Sequence, residues 1–563
     1  MTYSPDNALI VQSDRTVLLD VHAPTAAIAQ AAIAPFAELI KSPEHIHTYR
    51  LTPLSIWNAR AAGIPVAKIV AALQTHAKYP MPESVAQELE TLGQRYGLTT
   101  LAPQGKNLES SSALVLQVAD APLAELLCRD ERVGPLLGDR LSPTSFAVAL
   151  DYRGVLKQAL LAAGYPAEDL AGYADGEALP VKLLSTTRAG MPFQLRPYQQ
   201  TAADLFYQAG GAHGGSGTIV LPCGAGKTMV GMAAMAAIQA KTLILTSSLT
   251  SVHQWQRELS DKTSIAPDQI AEYSGQHKAT GPVTLATYQI LTYRASQDDD
   301  FPHLSLFDRQ EWGLIIYDEV HLLPAPVFRM TARLQARRRL GLTATLIRED
   351  GREGDVFALI GPKRYDVPWR ELEGEGFIAA ANCTEVRVLQ TEARQMDYAT
   401  APRRHQFRIA AENPRKLEVI EALLARETGH RVLIIGEYLD QLRAIAQRVH
   451  FPLVTGKTKQ QERDRLFAAF RSSEISGLVL SRVGNFALDL PDADVLIQVS
   501  GKYGSRQEEA QRLGRILRPK QDGHEAQFYS LVSLRTCEED FARHRQLFLT
   551  EQGYRYHIQI WES

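Results

Sequence analysis

Lys227 and Thr228 are residues whose types and spacing suit phosphate chemistry. They follow an apolar run and a turn made of Gly224, Ala225 and Gly226. Glycines let backbone N–H groups face a pyrophosphate, and the N-terminus of the following helix adds partial positive charge. Lys227 would contact the β- and γ-phosphates, while the Thr228 hydroxyl would bind Mg²⁺. Leu221 stands where the strict pattern has its first glycine, so the prediction depends on the shorter Gly-x-Gly-Lys-Thr core. Residues 221–228 are called the phosphate loop below.

Asp318 and Glu319 form a second reactive pair, at the end of an apolar run that begins at Trp312. A parallel sheet presents ligand-binding groups at the carboxyl ends of its strands. There Asp318 would hold Mg²⁺ through water, and Glu319 would orient or deprotonate the attacking water. Two adjacent acids after a strand are usually only a helix cap. With the phosphate loop upstream, this pair predicts a nucleotide hydrolysis site.

Polar residues near these motifs are candidates for supporting roles. Gln199 precedes the phosphate loop by about one helix and would hydrogen-bond an adenine edge, with Arg196 near the phosphates. An ordinary polar helix start accounts for both residues equally well. Thr343 and Thr345 follow at the spacing of one further helix–strand unit, where they would relay the nucleotide state to other parts of the protein.

The second half of the chain contains an arginine-rich helical stretch. Gln511, Arg515 and Arg518 are spaced i, i+4 and i+7, which places them on one helix face. Arginines on such a face can contact a nucleotide held by another domain, where they stabilise the charge of the transition state. A basic solvent-exposed helix face is the alternative. Because the second half has no phosphate loop of its own, one ATP shared between two domains is the economical interpretation.

The elements that position these residues are alternating strands and helices. Apolar runs separated by polar helices are typical of parallel sheets. The pattern predicts an α/β protein with two tandem parallel-sheet domains, preceded by a mainly helical module and a small α+β domain. The predicted domains are residues 1–105, 106–185, 186–365 and 366–563.

Composition bounds the class of protein without identifying its function. The 563 residues carry a net charge of −3, and 45% are hydrophobic and 22% charged, as in ordinary globular proteins. Any DNA contact must therefore use local basic faces. No apolar run is long enough to span a bilayer, no signal peptide is expected, and the four cysteines have no C-x-x-C pair. We expect a cytoplasmic protein that does not contact a membrane.

By their motifs, residues from about Phe193 to the C-terminus resemble superfamily 2 helicases, and specifically the XPB family. The matching stretches are "LPCGAGKT" (221–228), "DEVH" (318–321), "GLTATLIRED" (341–350), "LIGPKRYDVPW" (359–369), "EAQRLGRILR" (509–518), "FYSLVS" (528–533) and "FLTEQGY" (548–554). Residues 47–97 are similar to the N-terminal module of bacterial XPB homologues. The segment 110–185 lies where the family has its damage-recognition domain, by position alone. The resemblance implies that the two parallel-sheet domains are RecA-like motor domains.

The resemblance also implies roles for individual residues. Gln199 resembles the adenine-reading glutamine, and Asp489 resembles a residue that couples the nucleotide and DNA sites. Lys227 and Thr228 match motif I, Asp318 and Glu319 match motif II, and Arg515 and Arg518 match motif VI. The family's RED motif, implicated in opening duplex DNA, corresponds to Arg348, Glu349 and Asp350. Ser247, within the stretch 246–251, and Thr287 lie where the family contacts the DNA backbone.

These observations predict an ATP- and Mg²⁺-dependent DNA helicase that moves 3′ to 5′ at a single-strand–duplex junction in DNA repair. One alternative is a duplex translocase that does not separate strands. Another is an ATP-switched scaffold for a partner such as a nuclease, since the two N-terminal modules make up about a third of the chain. The family often has a helical thumb inserted in its second motor domain. Here the thumb-like segment near 392–412 is short, which leaves open how the duplex is gripped.

Overall fold

The computed structural model describes residues 3–41, 45–104, 113–211, 214–294, 296, 301–308, 310–334, 337–344, 353–367, 369–481, 493–501, 512–514, 516, 525–551, 554 and 556–561. These residues form two compact units. The first contains residues 1–40, 44–221 and 226–366, and the second contains 41–43, 222–225 and 367–563. Each unit is described by itself.

The first unit begins with a four-stranded sheet covered by helices. The strands are β1 (Leu9–Val11), β2 (Thr16–Asp20), β3 (Glu38–Lys41) and β4 (Ile46–Arg50), in the order β1-β2-β4-β3. The helices are α1 (Ala26–Ile33), α2 (Pro53–Ala61), α3 (Val66–His76) and α4 (Glu83–Arg95). Thr52 caps α2 by accepting a hydrogen bond from the Ser55 N–H. The sheet itself was not predicted.

A five-stranded sheet follows, in the order β7-β8-β6-β5-β9. Its strands are β5 (Thr99–Pro103), β6 (Ala113–Val118), β7 (Arg140–Ser142), β8 (Ser145–Ala149) and β9 (Glu168–Asp169), with helices α5 (Ala121–Arg129) and α6 (Arg153–Ala162). Strand β5 pairs with β6 along its whole length and so belongs to this sheet. Within residues 179–184, Leu183 forms an isolated antiparallel β-bridge with Thr263.

The last part of the first unit is a seven-stranded parallel sheet in the order β12-β13-β11-β14-β15-β10-β16. The strands are β10 (Ser216–Val220), β11 (Thr242–Thr246), β12 (Ile270–Tyr273), β13 (Val283–Thr287), β14 (Leu314–Asp318), β15 (Arg338–Thr343) and β16 (Lys363–Asp366). The helices are α7 (Pro197–Tyr207), α8 (Lys227–Ile238), α9 (Leu249–Lys262), α10 (Tyr288–Leu291), α11 (Ala325–Arg333) and α12 (Glu353–Leu359). The central strands are buried on both faces, which explains their continuous apolar runs.

Side chains join the three parts of the first unit. Trp57, Ala61 and Tyr96 pack with Leu161 of α6 and Phe357 of α12 in one apolar cluster. Two hydrogen bonds supplement this cluster. They are donated by Gln158 Nε2 to Asp355 Oδ1, at 2.8 Å, and by the Lys363 N–H of β16 to Asn58 Oδ1 of α2, at 3.0 Å.

The second unit contains another seven-stranded parallel sheet, in the order β19-β20-β18-β21-β22-β17-β23. The strands are β17 (Ala381–Val388), β18 (Val432–Ile435), β19 (Leu453–Val454), β20 (Gly477–Leu480), β21 (Val495–Gln498), β22 (Ala526–Ser533) and β23 (Tyr556–Trp561). The helices are α13 (Trp369–Gly374), α14 (Glu392–Thr400), α15 (Arg403–Ala411), α16 (Arg415–Arg426), α17 (Leu439–Val449), α18 (Gln460–Arg471) and α19 (Cys537–Glu551). The thumb-like segment is therefore the helix pair α14 and α15.

The two parallel sheets confirm the predicted α/β class with two RecA-like domains. Among the described residues, no single helix has the length and apolar character needed to cross a membrane, and only the pair α2 and α3, bent by 116°, passes on length and composition when taken together.

Candidate nucleotide-hydrolysis site

Three adjacent strands of the first parallel sheet bring the sequence motifs to one edge. Strand β15 lies between β10 and β14, with Val220 opposite Thr343 and Asp318 opposite Leu342. The strands are parallel, so their carboxyl ends meet at the same edge. The residues that follow β10, β14 and β15 are thereby gathered into one region.

The phosphate loop uses backbone conformations that favour glycine. Gly224 and Gly226 have φ values of +82° and +80°, in the left-handed region. A Cβ on Gly226 would lie only 2.5 Å from Gln199 Nε2, so the amide of Gln199 lies directly against the loop. Helix α8 begins at Lys227, with Thr228 in its first turn.

Lys227 and Glu319 are brought together although they are far apart in sequence. Lys227 Nζ lies 3.6 Å from Glu319 Oε1, and both side chains are largely buried. Glu319 has φ and ψ of 54°, a left-handed conformation that is uncommon for residues other than glycine. Such strain persists where the surrounding structure enforces it, often at functional sites. The strained backbone holds this carboxylate beside the lysine.

Asp318 is held by contacts on both its side chain and its backbone. Trp255 Nε1 of α9 donates to Asp318 Oδ2 at 3.0 Å, and the Tyr288 hydroxyl donates to the Asp318 carbonyl oxygen at 3.0 Å. Desolvation and the neighbouring Glu319 carboxylate raise the pKa of Asp318 to about 6, although the Trp255 hydrogen bond and Lys227 act in the opposite direction. A nearby cation would favour the ionised form.

His321 connects the acidic pair to the next strand. Its Nδ1 lies 2.7 Å from Thr343 Oγ1 and 3.5 Å from Glu319 Oε2. Both His321 and Thr343 are buried. The contact joins the residues after β14 to the end of β15.

Gln199 and Arg196 lie at the start of α7. Gln199 is buried, and its Oε1 accepts the Arg196 N–H at 3.0 Å, which caps the helix. Arg196 Nη1 donates to the Tyr198 hydroxyl at 3.2 Å. The helix start that the sequence left as an alternative is therefore real, and it also sets Gln199 against the phosphate loop.

Ser247 and Thr287 lie near each other at the same sheet edge. The preceding residue, Thr246 of β11, is opposite Thr287 of β13. Gln289 Nε2 donates to the Ser247 carbonyl oxygen at 2.6 Å, and Thr287 Oγ1 caps α10 by accepting the Ile290 N–H. Thr287 is therefore the cap of α10, and Ser247 lies between the end of β11 and Ser248, which caps α9.

Several predicted site residues lie outside the described residues. They are Thr345, Arg348, Glu349, Asp350, Asp489, Gln511, Arg515 and Arg518. Their roles stay predictions from the sequence.

The described residues fit a magnesium ion that is held mainly by phosphates and water. Mg²⁺ takes oxygen ligands and usually keeps several waters, with one or two carboxylates. Asp318 and Thr228 supply such oxygens beside the phosphate loop. Within the described ranges, no group of three or more His, Cys, Asp or Glu side chains is placed to hold a metal by itself.

No role was predicted for Trp255, which lies on helix α9. It packs so closely on Gly231 of α8 that no side chain fits there. The only sequence signal is an aromatic residue with a polar atom, which needs a hydrogen-bond partner when buried. That partner, Asp318, lies 63 residues away.

We expect Trp255→Phe to raise the Mg²⁺ concentration needed for half-maximal ATP hydrolysis by about tenfold, because a hydrogen bond to a charged group contributes about 1.5–3 kcal/mol. The ring packing is retained while the donor is lost. Trp312→Phe is the matched control, since Trp312 is also buried but donates to the Leu306 carbonyl oxygen. Equal Mg²⁺ requirements for both variants would contradict a positioning role for Trp255.

Family models match three parts of the chain. The model of the ERCC3/RAD25/XPB C-terminal helicase matches residues 372–561, and that of the type III restriction enzyme res subunit matches 192–348. A model described as a helicase conserved C-terminal domain matches residues 9–142, which precede both parallel sheets.

Relatives from bacteria and yeast match nearly the whole of this chain. It is 53% identical to a protein of Kineococcus radiotolerans named DNA 3′-5′ helicase XPB, over 98% of this chain and 96% of that one. It is 52% identical to a protein of the same name from Mycobacterium tuberculosis, over 98% of each. A Saccharomyces cerevisiae protein named general transcription and DNA repair factor IIH helicase/translocase subunit XPB/SSL2 is 31% identical, over 98% of this chain and 72% of that one.

Proposed function

Because this chain belongs to the XPB family of DNA helicases, we propose that it is an ATP-driven DNA 3′–5′ helicase acting in DNA repair. The observation that carries the proposal is the meeting of Lys227, Asp318 and Glu319 at the carboxyl edge of one parallel sheet. Lys227 supplies a cation for the phosphates, Asp318 supplies an oxygen ligand for Mg²⁺, and Glu319 supplies a base for the attacking water.

ATP binds with its adenine edge against Gln199, near Arg196, and its phosphates over the phosphate loop. Lys227 contacts the β- and γ-phosphates. Thr228 and Asp318 would hold Mg²⁺, which when bound would neutralise phosphate charge. Glu319 orients the attacking water and takes its proton. The strained Glu319 backbone keeps the carboxylate oriented before the nucleotide arrives, so little reorganisation is needed during the reaction.

Hydrolysis is coupled to DNA through residues at the same sheet edge. A change at Glu319 reaches Thr343 through His321, and Ser247 and Thr287 contact the DNA backbone. Arg515 and Arg518, with Gln511, supply positive charge to the γ-phosphate from the second motor domain, and Asp489 couples the nucleotide and DNA sites. The two DNA strands are separated at Arg348, Glu349 and Asp350. Thr345 precedes these residues in the chain.

We expect ATP hydrolysis to be stimulated strongly by DNA and more by a forked duplex than by RNA. Because DNA is held mainly through phosphates, stimulation should fall steeply as salt rises. Rates are measured with no nucleic acid, single-stranded DNA, forked duplex and RNA, at two salt concentrations. Duplexes with a 3′ or a 5′ tail test polarity, and only the 3′-tailed duplex should be separated.

Two other results would replace the proposal. DNA-stimulated hydrolysis without strand separation would favour a duplex translocase, a candidate supported by the word translocase in the name of the yeast relative. Equal rates of ATP hydrolysis with no nucleic acid, single-stranded DNA, forked duplex and RNA would favour an ATP-switched scaffold for a partner such as a nuclease.

A further inference from the structure

Tyr288 links two strands that are not neighbours in the first parallel sheet. It directly follows β13, whereas Asp318 ends β14, and β11 lies between these two strands. Neighbouring strands are about 4.8 Å apart, so the ends of β13 and β14 are roughly 10 Å from each other. The Tyr288 hydroxyl nevertheless donates to the Asp318 carbonyl oxygen at 3.0 Å. The side chain therefore spans the end of β11.

The ring of Tyr288 is fixed by the core of the sheet domain. Tyr288 is 3% exposed and belongs to an apolar cluster that also contains Tyr317 and Val320. These two residues stand on either side of the acidic pair in the sequence. Protein interiors are close-packed and transmit strain, so the ring cannot move without moving its neighbours. A displacement at one end of Tyr288 therefore reaches the other end.

The residues on both sides of Tyr288 are held as well. Thr287 Oγ1 caps α10 by accepting a backbone hydrogen bond. Gln289 Nε2 donates to the carbonyl oxygen of Ser247, which follows β11, at 2.6 Å. Residues 287–289 thus have three different partners, which are the start of α10, the end of β14 and the segment after β11. This short segment connects the residues proposed to contact DNA with the acidic pair.

The acceptor of the Tyr288 hydroxyl belongs to a strained turn. The Asp318 carbonyl is part of the peptide group that precedes Glu319, whose φ and ψ of 54° are left-handed. Because a peptide group is planar, a displaced Asp318 carbonyl oxygen rotates the Glu319 N–H with it. The hydrogen bond from Tyr288 therefore acts on the backbone that orients the proposed base.

We propose that Tyr288 is a positioning residue through which bound DNA acts on Glu319. The inference rests on the proposed function, in which Ser247 and Thr287 contact the DNA backbone. DNA that displaces Thr287 displaces Tyr288 through the chain itself, and DNA that displaces Ser247 does so through Gln289. The hydroxyl then moves the turn that precedes Glu319. A chain of packed side chains and hydrogen bonds can carry such coupling between two sites.

The test compares Tyr288→Phe with the wild type in the full chain. Phenylalanine retains the ring packing and loses the hydroxyl. The DNA stimulation factor is the rate of ATP hydrolysis at saturating forked duplex divided by the rate without DNA. It should fall about fivefold or more in Tyr288→Phe, which is the lower end of typical coupling between two sites. The dissociation constant of DNA and the KM for ATP should stay close to the wild-type values, because the role of the hydroxyl is to position Glu319 and not to bind either ligand.

Tyr317→Phe is the matched control. Tyr317 is buried in the same apolar cluster, but its hydroxyl lies 2.9 Å from Thr331 Oγ1 of α11. Its stimulation factor should equal that of the wild type. Gln289→Ala tests the other end of the path at an exposed position, where the substitution does not disturb the core. It removes the hydrogen bond to Ser247 and should also lower the stimulation factor at saturating DNA.

A second measurement does not depend on hydrolysis. Hydrogen exchange of peptides that cover residues 314–320 should change when DNA is added to the wild type, and should change much less in Tyr288→Phe. A wild-type stimulation factor in Tyr288→Phe, an equal fall in Tyr317→Phe, or an undiminished exchange response in Tyr288→Phe would overturn the inference and leave the proposed function intact. If DNA does not stimulate the wild type, the proposed function itself fails, and this inference fails with it.

Discussion

Glu319→Gln should bind ATP and DNA with near wild-type affinity while its turnover falls by about 10²–10⁴-fold, the usual contribution of a general base. Glutamine has the same shape as glutamate, so it fits the left-handed backbone at this position. It cannot accept a proton from water at neutral pH. We therefore expect Glu319→Gln to accumulate as a complex with unhydrolysed ATP. The measurements are equilibrium binding of a fluorescent ATP analogue and of DNA, together with steady-state hydrolysis.

The matched control for this variant is Glu272→Gln. Glu272 lies in β12 of the same sheet, with Oε2 3.4 Å from His253 Nε2, and so resembles Glu319 beside His321. Its turnover should remain within about twofold of the wild type, as for substitutions outside the active region. Normal turnover by Glu319→Gln would remove this residue from the role of base.

Lys416→Met is expected to destabilise the second unit by about 3–5 kcal/mol, because it leaves a buried carboxylate without its counter-charge. Lys416 Nζ lies 2.8 Å from Glu538 Oε2, and both side chains are at most 2% exposed. The ammonium group also donates to the Val499 carbonyl oxygen at 2.9 Å. Burial lowers the pKa of Lys416, and the nearby carboxylate opposes this change.

Urea denaturation followed by hydrogen exchange of peptides from the second unit measures this effect, since a chain of several domains need not unfold in one step. The double variant Lys416→Met/Glu538→Gln should recover much of the loss, because a glutamine carbonyl can still accept the Ser533 N–H that Glu538 accepts at 2.8 Å. Arg465→Met removes an exposed ion pair with Glu462 and should leave the stability of the second unit almost unchanged. If the single and double variants are equally stable, the buried charge is not the cause.

The motor sheets could be predicted because their strands are buried on both faces and so appear as continuous apolar runs. The same geometry made the meeting of Lys227 with Glu319 predictable, since parallel strands gather their carboxyl ends at one edge. The N-terminal sheet was missed because its strands are only three to five residues long and β3 directly follows an Ala-rich helix. Short strands paired across distant turns leave little periodicity in a sequence.

Contacts that orient the site were harder to predict. Trp255 reaches Asp318, and His321 reaches Thr343, only once α9, β14 and β15 have packed. Each side chain has an ordinary structural explanation when the sequence is considered alone.

The hydrogen bond from Lys363 to Asn58 bears on how the motor can be isolated. Strand β16, which begins at Lys363, is an outer strand of its sheet, and outer strands carry unpaired backbone groups that recruit strands of other molecules. The Asn58 side chain accepts a hydrogen bond from one of these groups, the Lys363 N–H. A shortened chain without α2 would expose this outer strand to other copies of the chain and should self-associate. Lower solubility would therefore complicate any measurement of DNA coupling on an N-terminally truncated chain.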